Sequence, residues 1–324
     1  MTNTYTYIIA SYRLILGTSP LFYPRLGPWV LRPWVAPLTP RAMSWCSPHG
    51  TPLPDWRKRT LIMGIMNLTP DSFSDGGQLT DADTAVKRAE VLIKEGADIL
   101  DLGAESTRPG ATPLDAPTEL ARLLPAIKAL RQKFPAIPLS IDTYKADVAL
   151  AGITAGADIV NDVEGGRFGA DSKGSPMTIA CAHLRCPLIL MHRRAAPSYK
   201  DFWPEILADL RGSLRLALDA GVPAEQLWTD PGFGFGKTPA QNLMLVRNLE
   251  QIAALGFPVL LGTSRKSTLG LMMGEPDPLK RLPASIATAV WGVAQGCSMV
   301  RTHDVAQLRP FLSAADDLRR GVIN

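Results

Sequence analysis

From Thr60 onward the chain repeats one pattern, in which a short apolar run ends in a polar group and is followed by a loop and a longer amphipathic stretch. Short apolar runs are typical of buried strands, and the amphipathic stretches have the length and period of helices. Eight such units predict an α/β fold, a (β/α)8 TIM barrel forming a single domain. The runs are LIMGIM before Asn67, ADILDLGAE around Asp101 and Glu105, IPLSID ending at Asp142, ADIVNDV around Asn161 and Asp162, PLILMH ending at His192, QLWTD ending at Asp230, PVLLGTS ending at Ser264, and SMVRTH ending at Arg301 and His303.

The helical stretches carry their own end signals. Four of them close on a glycine, and the next apolar run starts two or three residues later, at Gly96, Gly156, Gly221 and Gly256. Glycine at this place supplies the left-handed C-cap that turns the chain back toward the barrel. The predicted helices include 81–97, 118–134, 145–157, 204–222, 240–256 and 284–296.

Residues 1–54 lack this pattern. They hold nine of the 28 prolines and three tryptophans, Trp29, Trp34 and Trp45, with no sustained helical or strand period. This composition predicts an irregular N-terminal extension, disordered or preceding the true start. We therefore expect the barrel domain to occupy residues 55–324.

The net charge of +4 is unevenly distributed. Residues 1–54 contain four arginines and no acid, so the remainder has 30 basic and 30 acidic residues. The main body therefore offers no clustered basic face of the kind that binding to a phosphate backbone requires. We expect no nucleic-acid partner.

Cysteine usage and hydropathy bear on location. Cys46, Cys181, Cys186 and Cys297 show neither CxxC spacing nor a disulfide framework, which favours a reducing compartment. No apolar run approaches the roughly 20 residues that span a bilayer, and the first residues lack the basic segment of a signal peptide. We expect a cytoplasmic protein with no membrane partner.

Polar residues follow the predicted strands where each strand ends. A single Asp or Asn in that place more often caps the next helix than takes part in chemistry. Six units contribute here, however, and a closed barrel brings all its strand ends to one rim, where barrel active sites are built. The candidates are Asn67, Asp142, Asn161, Asp230, Lys266, Arg301 and His303.

These residue types divide by chemistry. Asp142, Asn161 and Asp230 could pair with a planar, donor-rich edge such as the 2-amino-pyrimidinone of a pterin. Arg301, His303 and Asn67 could face oxygen anions. With four histidines in the whole chain a multi-histidine zinc site is improbable, and Mg²⁺ held largely by substrate phosphates fits better.

Two further motifs have competing interpretations. Lys266 could form a Schiff base, as in aldolase-type barrels, or donate hydrogen bonds to a heterocycle. PGFGFGKT at 231–238 is a near match to a phosphate-binding loop, but Pro231 replaces the first glycine, fixes φ and removes an N–H donor. We interpret its glycines instead as letting the backbone pass close to a flat ligand, with Phe233 or Phe235 nearby.

Long motifs in a fixed order resemble those of the dihydropteroate synthase family, from about Leu61 to the C-terminus. GIMNLTPDSFSDGG (64–77) resembles the first signature of that family, and DLGAESTRPGA (101–111) resembles the second. Members typically begin shortly before the first strand, so Met43 resembles a start, and residues 1–42 are a misread start or a tail. The other matches are SIDTY at 140–144, NDVEGG at 161–166, LMH at 190–192, DPGFGFGKT at 230–238, GTSRKS at 262–267 and RTHDV at 301–305.

The resemblance implies a transferase of folate biosynthesis, in the target class of sulfonamides. It would condense (7,8-dihydropterin-6-yl)methyl diphosphate with 4-aminobenzoate, with Mg²⁺ as cofactor and the homodimer as the expected assembly. Diphosphate would leave before the amine attacks, without an enzyme nucleophile. Implied catalytic residues are Asp142, Lys266, Arg301 and His303.

The same resemblance assigns residues to each part of the substrates. The pterin would be bound by Asp142, Asn161, Asp230 and Lys266, with Met191, Gly262 and Arg301 lining the ring. The diphosphate would be bound by Asn67, Arg301 and His303, and Asn67 would also contact the metal. The 4-aminobenzoate pocket would comprise Phe73, Thr107, Arg108, Pro109, Phe235 and Ser264.

Two rival functions share the pterin groups. One is a pterin-binding methyltransferase module that passes a methyl group to a corrinoid, but that chemistry has no use for TPDSFSDGG and TSRKS. The other is a pterin-binding protein without catalysis. Formation of dihydropteroate from both substrates discriminates all three.

Overall fold

The computed structural model describes residues 45–68, 81–105, 112–172 and 174–321. Eight parallel strands lie side by side in the order β6-β5-β4-β3-β2-β1-β8-β7, and a parallel bridge between Thr229 and Val259 joins the two outer strands into a barrel. The predicted TIM barrel is confirmed. The strands are β1 (Leu61–Asn67), β2 (Ile99–Gly103), β3 (Leu139–Asp142), β4 (Ile159–Asp162), β5 (Leu188–Met191), β6 (Leu227–Asp230), β7 (Leu260–Leu261) and β8 (Met299–Thr302).

Helices surround the barrel on the outside. Within the described ranges, no helix is both long enough and apolar enough to cross a membrane. The helices are α1 (Asp81–Lys94), α2 (Ala116–Lys133), α3 (Ala146–Thr154), α4 (Pro176–Leu184), α5 (Phe202–Asp219), α6 (Pro239–Arg247), α7 (Glu250–Ala253), α8 (Ser267–Met273), α9 (Leu282–Ala294) and α10 (Val305–Arg320).

The predicted glycine caps are confirmed. Gly96, Gly156, Gly221 and Gly256 all have positive φ, between 87° and 119°, just after a helix. A side chain there would strain the backbone, because the left-handed region is costly for residues with a Cβ atom. These glycines end the helices and return the chain to the barrel.

Two predicted elements are shorter than the sequence pattern suggests. The helix over 240–256 breaks at Asn248, whose side-chain amide donates to Met244 O at 2.9 Å and so competes with the helical backbone. The run ending at Ser264 keeps only Leu260–Leu261 as strand, because the chain turns at Thr263, where the N–H of Lys266 donates to Thr263 O.

The apolar core has two layers. Ile62 and other residues on the outer faces of the strands pack under the helices, whereas Leu61 and Met63 point into the barrel. Successive side chains of a strand point to opposite faces, so both layers come from the same strands. The interior cluster consists of Trp45, Leu61, Met63, Ile99, Ile159, Ile189, Trp228, Leu260 and Met299.

The segment from Trp45 to Thr60 closes the N-terminal end of the barrel. Its backbone forms neither helix nor strand, yet the ring of Trp45 lies 4.6 Å from that of Trp228, and Trp56 approaches Trp228 edge-on at 5.9 Å. Gln226 accepts from the Cys46 N–H at 3.0 Å. This part of the extension therefore packs on the barrel, and residues 1–44 lie outside the described ranges.

Candidate active site

The barrel interior changes from apolar to polar between one layer of side chains and the next. Residues two positions apart on a strand share a face, so each inward apolar residue is followed by an inward residue nearer the C-terminal rim. On four of five strands that second residue is polar. The pairs are Ile99 and Asp101, Ile159 and Asn161, Ile189 and Met191, Trp228 and Asp230, and Met299 and Arg301.

Arg301 is the centre of the polar layer. Its Nε donates to Asp101 Oδ2 at 2.5 Å, and its Nη2 donates to Asp142 Oδ2 at 2.7 Å. Asn161 donates its amide to the same Asp101 oxygen at 3.1 Å. Four strands are thus linked through one guanidinium and two carboxylates.

The two carboxylates retain capacity for a ligand. Asp101 Oδ1 and Asp142 Oδ1 are buried and have no hydrogen-bond partner within the described ranges. Burial raises the pKa of Asp142 to about 7, although Arg301 opposes that shift. Buried acceptors normally have a donor, so this pair of oxygens is suited to a ligand that presents N–H groups.

Asp230 ends β6 beside this cluster. Its Oδ1 accepts from the N–H of Gly232 at 2.7 Å, and burial raises the pKa of the carboxyl group. Met191 lies beside it in register on β5 and is buried. A carboxylate oxygen and an apolar side chain thus line the same side of the rim.

Lys266 reaches the rim from the N-cap position of α8. Its Nζ donates to the carbonyl oxygen of Phe233 at 2.5 Å and lies 4.5 Å from the centre of the Phe235 ring. Burial lowers the pKa of Lys266 to about 8. The ammonium is therefore fixed between the loop after β6 and the polar layer.

Ser264 and His303 join the loops after β7 and β8. The Ser264 hydroxyl and His303 Nδ1 are 3.0 Å apart, and the His303 N–H donates to the same hydroxyl at 3.2 Å. Arg265 braces this contact by donating from Nε to Asp304 Oδ2 at 3.0 Å. The imidazole is consequently held with Nε2 directed away from Ser264.

Of the remaining predicted residues, the structure describes some and leaves four outside its described ranges. Asn67 ends β1 and is exposed, and Gly262 lies beside Arg301, since a Cβ atom there would be 3.8 Å from Arg301 Cβ. Phe235 is half-buried. Four residues predicted for the aminobenzoate pocket lie outside the described ranges, and their role stays a prediction: Phe73, Thr107, Arg108 and Pro109.

Sequence reasoning did not place Asp101 in the site, although it is fully buried and contacts both Arg301 and Asn161. A signal was available. Asp101 follows inward-facing Ile99 by two residues, as Asn161 follows Ile159. Strand parity would have shown that this carboxylate points into the barrel.

The predicted magnesium site would have few protein ligands. Among the described residues, no group of three or more His, Cys, Asp or Glu side chains could hold a metal ion. Asn67 offers one hard amide oxygen at the rim, which fits a cation bound mainly through substrate oxygens. The metal itself stays a prediction.

Comparisons with known proteins agree on one family. The family described as pterin binding enzyme matches residues 63–303. The dihydropteroate synthase of Clostridium beijerinckii is 47% identical over 251 residues, covering 77% of this chain and 91% of its own length.

Solved structures give the same result. A dihydropteroate synthase from Clostridium difficile, solved with pteroic acid, is 43% identical with a TM-score of 0.78, covering 82% of this chain and 99% of the other. A Xanthomonas albilineans dihydropteroate synthase with 4-aminobenzoic acid is 41% identical with a TM-score of 0.76, covering 81% and 93%. The chain therefore belongs to the pterin-binding enzyme family and, within it, to the dihydropteroate synthases, transferases of folate synthesis.

Proposed function

We propose that the polar layer binds the pterin ring of (7,8-dihydropterin-6-yl)methyl diphosphate while the surrounding loops bind 4-aminobenzoate, giving 7,8-dihydropteroate and diphosphate. The observation that carries this assignment is the pair of unpartnered oxygens on Asp101 and Asp142. A pterin presents several N–H groups in one plane. Such donors satisfy buried carboxylates, and charge-assisted hydrogen bonds are the stronger kind.

The ring-binding set follows from this arrangement. Asp142, Asn161 and Asp230 provide acceptors and an amide, and Lys266 provides a donor from the opposite side. Met191 and Gly262 leave apolar walls for the ring faces, and Arg301 lies against the ring edge. A related X. albilineans structure contains 7,8-dihydropteroate, which supports a pterin in this family's barrel.

Lys266 acts in this proposal as a hydrogen-bond donor. Its contact with Phe233 O supports that role, because a fixed ammonium has donors left for a heterocycle. The Schiff-base alternative requires a carbonyl substrate and a covalent imine. Borohydride treatment of the enzyme with its substrates should leave Lys266 unmodified, and a trapped adduct would support the alternative.

The diphosphate is assigned to Asn67, His303 and Arg301. Arg301 brings positive charge, and the His303 ring is held at the rim by the contact of its Nδ1 with Ser264. Mg²⁺ bound by Asn67 and diphosphate oxygens would supply further positive charge to the leaving group. Fixed cationic and N–H groups of this kind stabilise charge that develops on departing oxygens.

Substitution then needs no enzyme nucleophile. Asp142 faces the ring, and its carboxylate form stabilises the positive charge that remains on the ring when diphosphate departs. The aniline nitrogen of 4-aminobenzoate attacks the methylene carbon and loses a proton. Phe235 and Ser264 are the described residues assigned to the aminobenzoate, together with the predicted Phe73, Thr107, Arg108 and Pro109.

The decisive experiment is incubation of the purified chain with both substrates and Mg²⁺. Formation of dihydropteroate and diphosphate is expected. Pterin binding without product would indicate a non-catalytic binding protein, and methyl transfer to a corrinoid would indicate the methyltransferase alternative. Omission of Mg²⁺ in a parallel assay tests the cofactor.

A homodimer and a reducing location complete the proposal. Adjacent helices α6, α8 and α9 expose large apolar side chains, with Leu271 69% and Trp291 51% exposed, and Leu279, in the turn between α8 and α9, is 68% exposed. We assign this face to a second copy of the chain, since such patches mark interfaces.

We also propose a cytoplasmic location. The four cysteines are free thiols, which supports a reducing compartment.

The dimer can be tested by light scattering coupled to size exclusion. Leu271→Asp should shift the protein toward monomer, whereas Leu318→Asp, on exposed α10, should not. A monomeric parent protein would exclude the dimer.

A further inference from the structure

Lys237 is a buried lysine to which the proposed substrate contacts assign no role. It ends the loop after β6, is 8% exposed, and has three acceptors within 3.0 Å of its Nζ: His192 Nδ1 at 2.9 Å, Gly232 O at 2.9 Å and Phe235 O at 3.0 Å. Burial lowers the pKa of Lys237 to about 7, and in its ammonium form it has three N–H donors, one for each of these acceptors. The three donors of Lys237 are thus all directed to acceptors within the protein, and none remains for a phosphate.

His192 is itself held for this contact. Its Nε2 lies 3.2 Å from Asp209 Oδ2, and Asp209 also accepts from Arg194 Nε at 2.8 Å. Burial lowers the pKa of His192 to about 3, so the ring is neutral. With the proton on Nε2 facing Asp209, Nδ1 is an acceptor for Lys237.

The loop that Lys237 holds contacts the rim at three places. Gly232 donates to Asp230, the Phe233 carbonyl accepts from Lys266, and the ring of Phe235 lies against the Lys266 ammonium. Lys237 bonds directly to the carbonyl of Phe235. This hydrogen bond therefore restrains the backbone that carries the Phe235 ring.

The glycines of this loop allow a close fit to protein backbone. A Cβ atom at Gly232 would lie 1.8 Å from His192 O, and one at Gly236 would lie 2.2 Å from Arg194 O. The expected close approach to a flat ligand is therefore a close approach to the chain after β5. Because the glycines bring no side chains, side chains of other residues tie the two segments together. Lys237 contacts His192 Nδ1 at 2.9 Å, and the Tyr199 hydroxyl donates to Gly236 O at 2.9 Å.

We propose that Lys237 is a positioning residue that fixes Phe235, and with it the contact between Phe235 and Lys266, for the second substrate. This inference rests on the proposed assignment of Phe235 to the aminobenzoate pocket. Lys237 touches neither substrate in this scheme. Its effect on the reaction passes through the loop.

The first test replaces Lys237 with methionine, which keeps an unbranched side chain of nearly the same length and removes the three donors. Lys237→Met should raise the KM for 4-aminobenzoate about tenfold, the size of a lost charge-assisted hydrogen bond. The loop also contacts Asp230 and Lys266, so the KM for the pterin diphosphate should rise as well. That rise should be smaller, because the ion pairs of Arg301 do not involve the loop. Lys200→Met, an exposed lysine nearby, is the matched control.

A double-mutant cycle identifies the route of the effect. If Lys237 acts through Phe235, Lys237→Met should add little to the aminobenzoate KM of Phe235→Ala. Additive effects, or equal increases for both substrates, would overturn the proposal. A normal KM for Phe235→Ala would instead refute the assignment of Phe235 and the proposal with it, whereas an effect of Phe235→Ala alone would refute only the role of Lys237.

A second pair of variants applies even if Lys237→Met does not fold. His192→Ala removes one acceptor from Lys237, whereas His192→Asn keeps an amide oxygen near the position of Nδ1. The aminobenzoate KM should rise in His192→Ala and return toward the parent value in His192→Asn. Equal KM values in the two variants would mean that the hydrogen bond to Lys237 has no part in positioning.

Discussion

The two ends of the barrel interior use the same strands in opposite ways. At the N-terminal end, Trp45 and Trp56 pack against Trp228, and the inward residues are apolar. At the C-terminal end, Asp101 and Asp142 share Arg301, and each keeps one buried oxygen that has no hydrogen-bond partner among the described residues. A step of two residues along a strand separates the two environments.

The difference shows how one fold separates stability from function. The apolar end stabilises the barrel by removing large side chains from water. The polar end contains buried charges, whose desolvation is rarely recovered in full by pairing. Its residues are therefore best explained by the ligand that we propose they bind, and substitutions at the two ends should have different consequences.

The largest effect is expected at the apolar end. Trp228→Ala should lower the free energy of unfolding by about 3–5 kcal/mol, the usual cost of removing a buried aromatic side chain. Turnover at low temperature should change less than stability, because Trp228 lies one layer below the polar groups and is assigned to neither substrate. Denaturant unfolding and steady-state assays measure both.

Leu318→Ala is the control, since Leu318 is 85% exposed and should change stability by no more than about 0.5 kcal/mol. A large loss of turnover with unchanged stability in Trp228→Ala would contradict the division of roles.

Arg301→Met should have the next largest effect. Turnover should fall about 10²- to 10³-fold, as when one fixed group that stabilises transition-state charge is removed. The variant also leaves Asp101 and Asp142 without their cation. Arg215→Met removes a surface ion pair with Asp219 and should have no measurable effect on turnover.

Asp230→Asn and Asp142→Asn should each weaken pterin binding. Replacing a charge-assisted hydrogen bond by a neutral one loses about 0.5–2 kcal/mol, roughly 2- to 30-fold in affinity. Calorimetric titration with a pterin measures this directly. Unchanged affinity in both variants would remove these residues from the recognition site.

The pH dependence of kcat/KM should report the ionisation of Asp142. With a pKa of about 7, its carboxylate form is lost as pH falls, so kcat/KM for the pterin diphosphate should decrease up to about tenfold per pH unit below 7. Asp142→Asn should lack this decrease. That comparison distinguishes ionisation of Asp142 from ionisation of the substrate.

The raised pKa of Asp142 also makes the free energy of unfolding depend on pH. The unfolded carboxyl group loses its proton near the ordinary value of 3.8, whereas the folded one keeps it to about 7. In this interval the unfolded state has released a proton that the folded state still holds. The free energy of unfolding should therefore fall progressively as pH rises from about 4 to about 7.

The smallest effect is expected from deletion of residues 1–42. The sequence there has no pattern that predicts a shared core, so melting temperature and turnover should stay close to the parent values. Trp45→Ala should lower the melting temperature, because Trp45 is buried against Trp228. A large loss on deletion would mean that residues 1–42 contribute to folding or assembly.

Much of the barrel was predictable because local signals agree with the fold. Strand runs such as LIMGIM, and glycine caps such as Gly96 and Gly156, act over a few residues and appear where expected. The break at Asn248 and the short β7 were not predicted. Both depend on hydrogen bonds that compete with regular structure, which hydrophobic periodicity does not report.

The sequence by itself determined the order of strands and helices, the rim on which Asp142, Asn161, Asp230 and Arg301 lie, and the family, because periodicity and motif order are properties of a linear chain. Only the tertiary structure decided which of these groups meet. The pairing of Arg301 with Asp101, 200 positions away, depends on barrel closure and on strand parity, and the contact between Lys237 and His192 depends on the pairing of β5 with β6. Burial then sets the protonation of Asp142 and Lys266, because desolvation exists only once the strands surround these side chains.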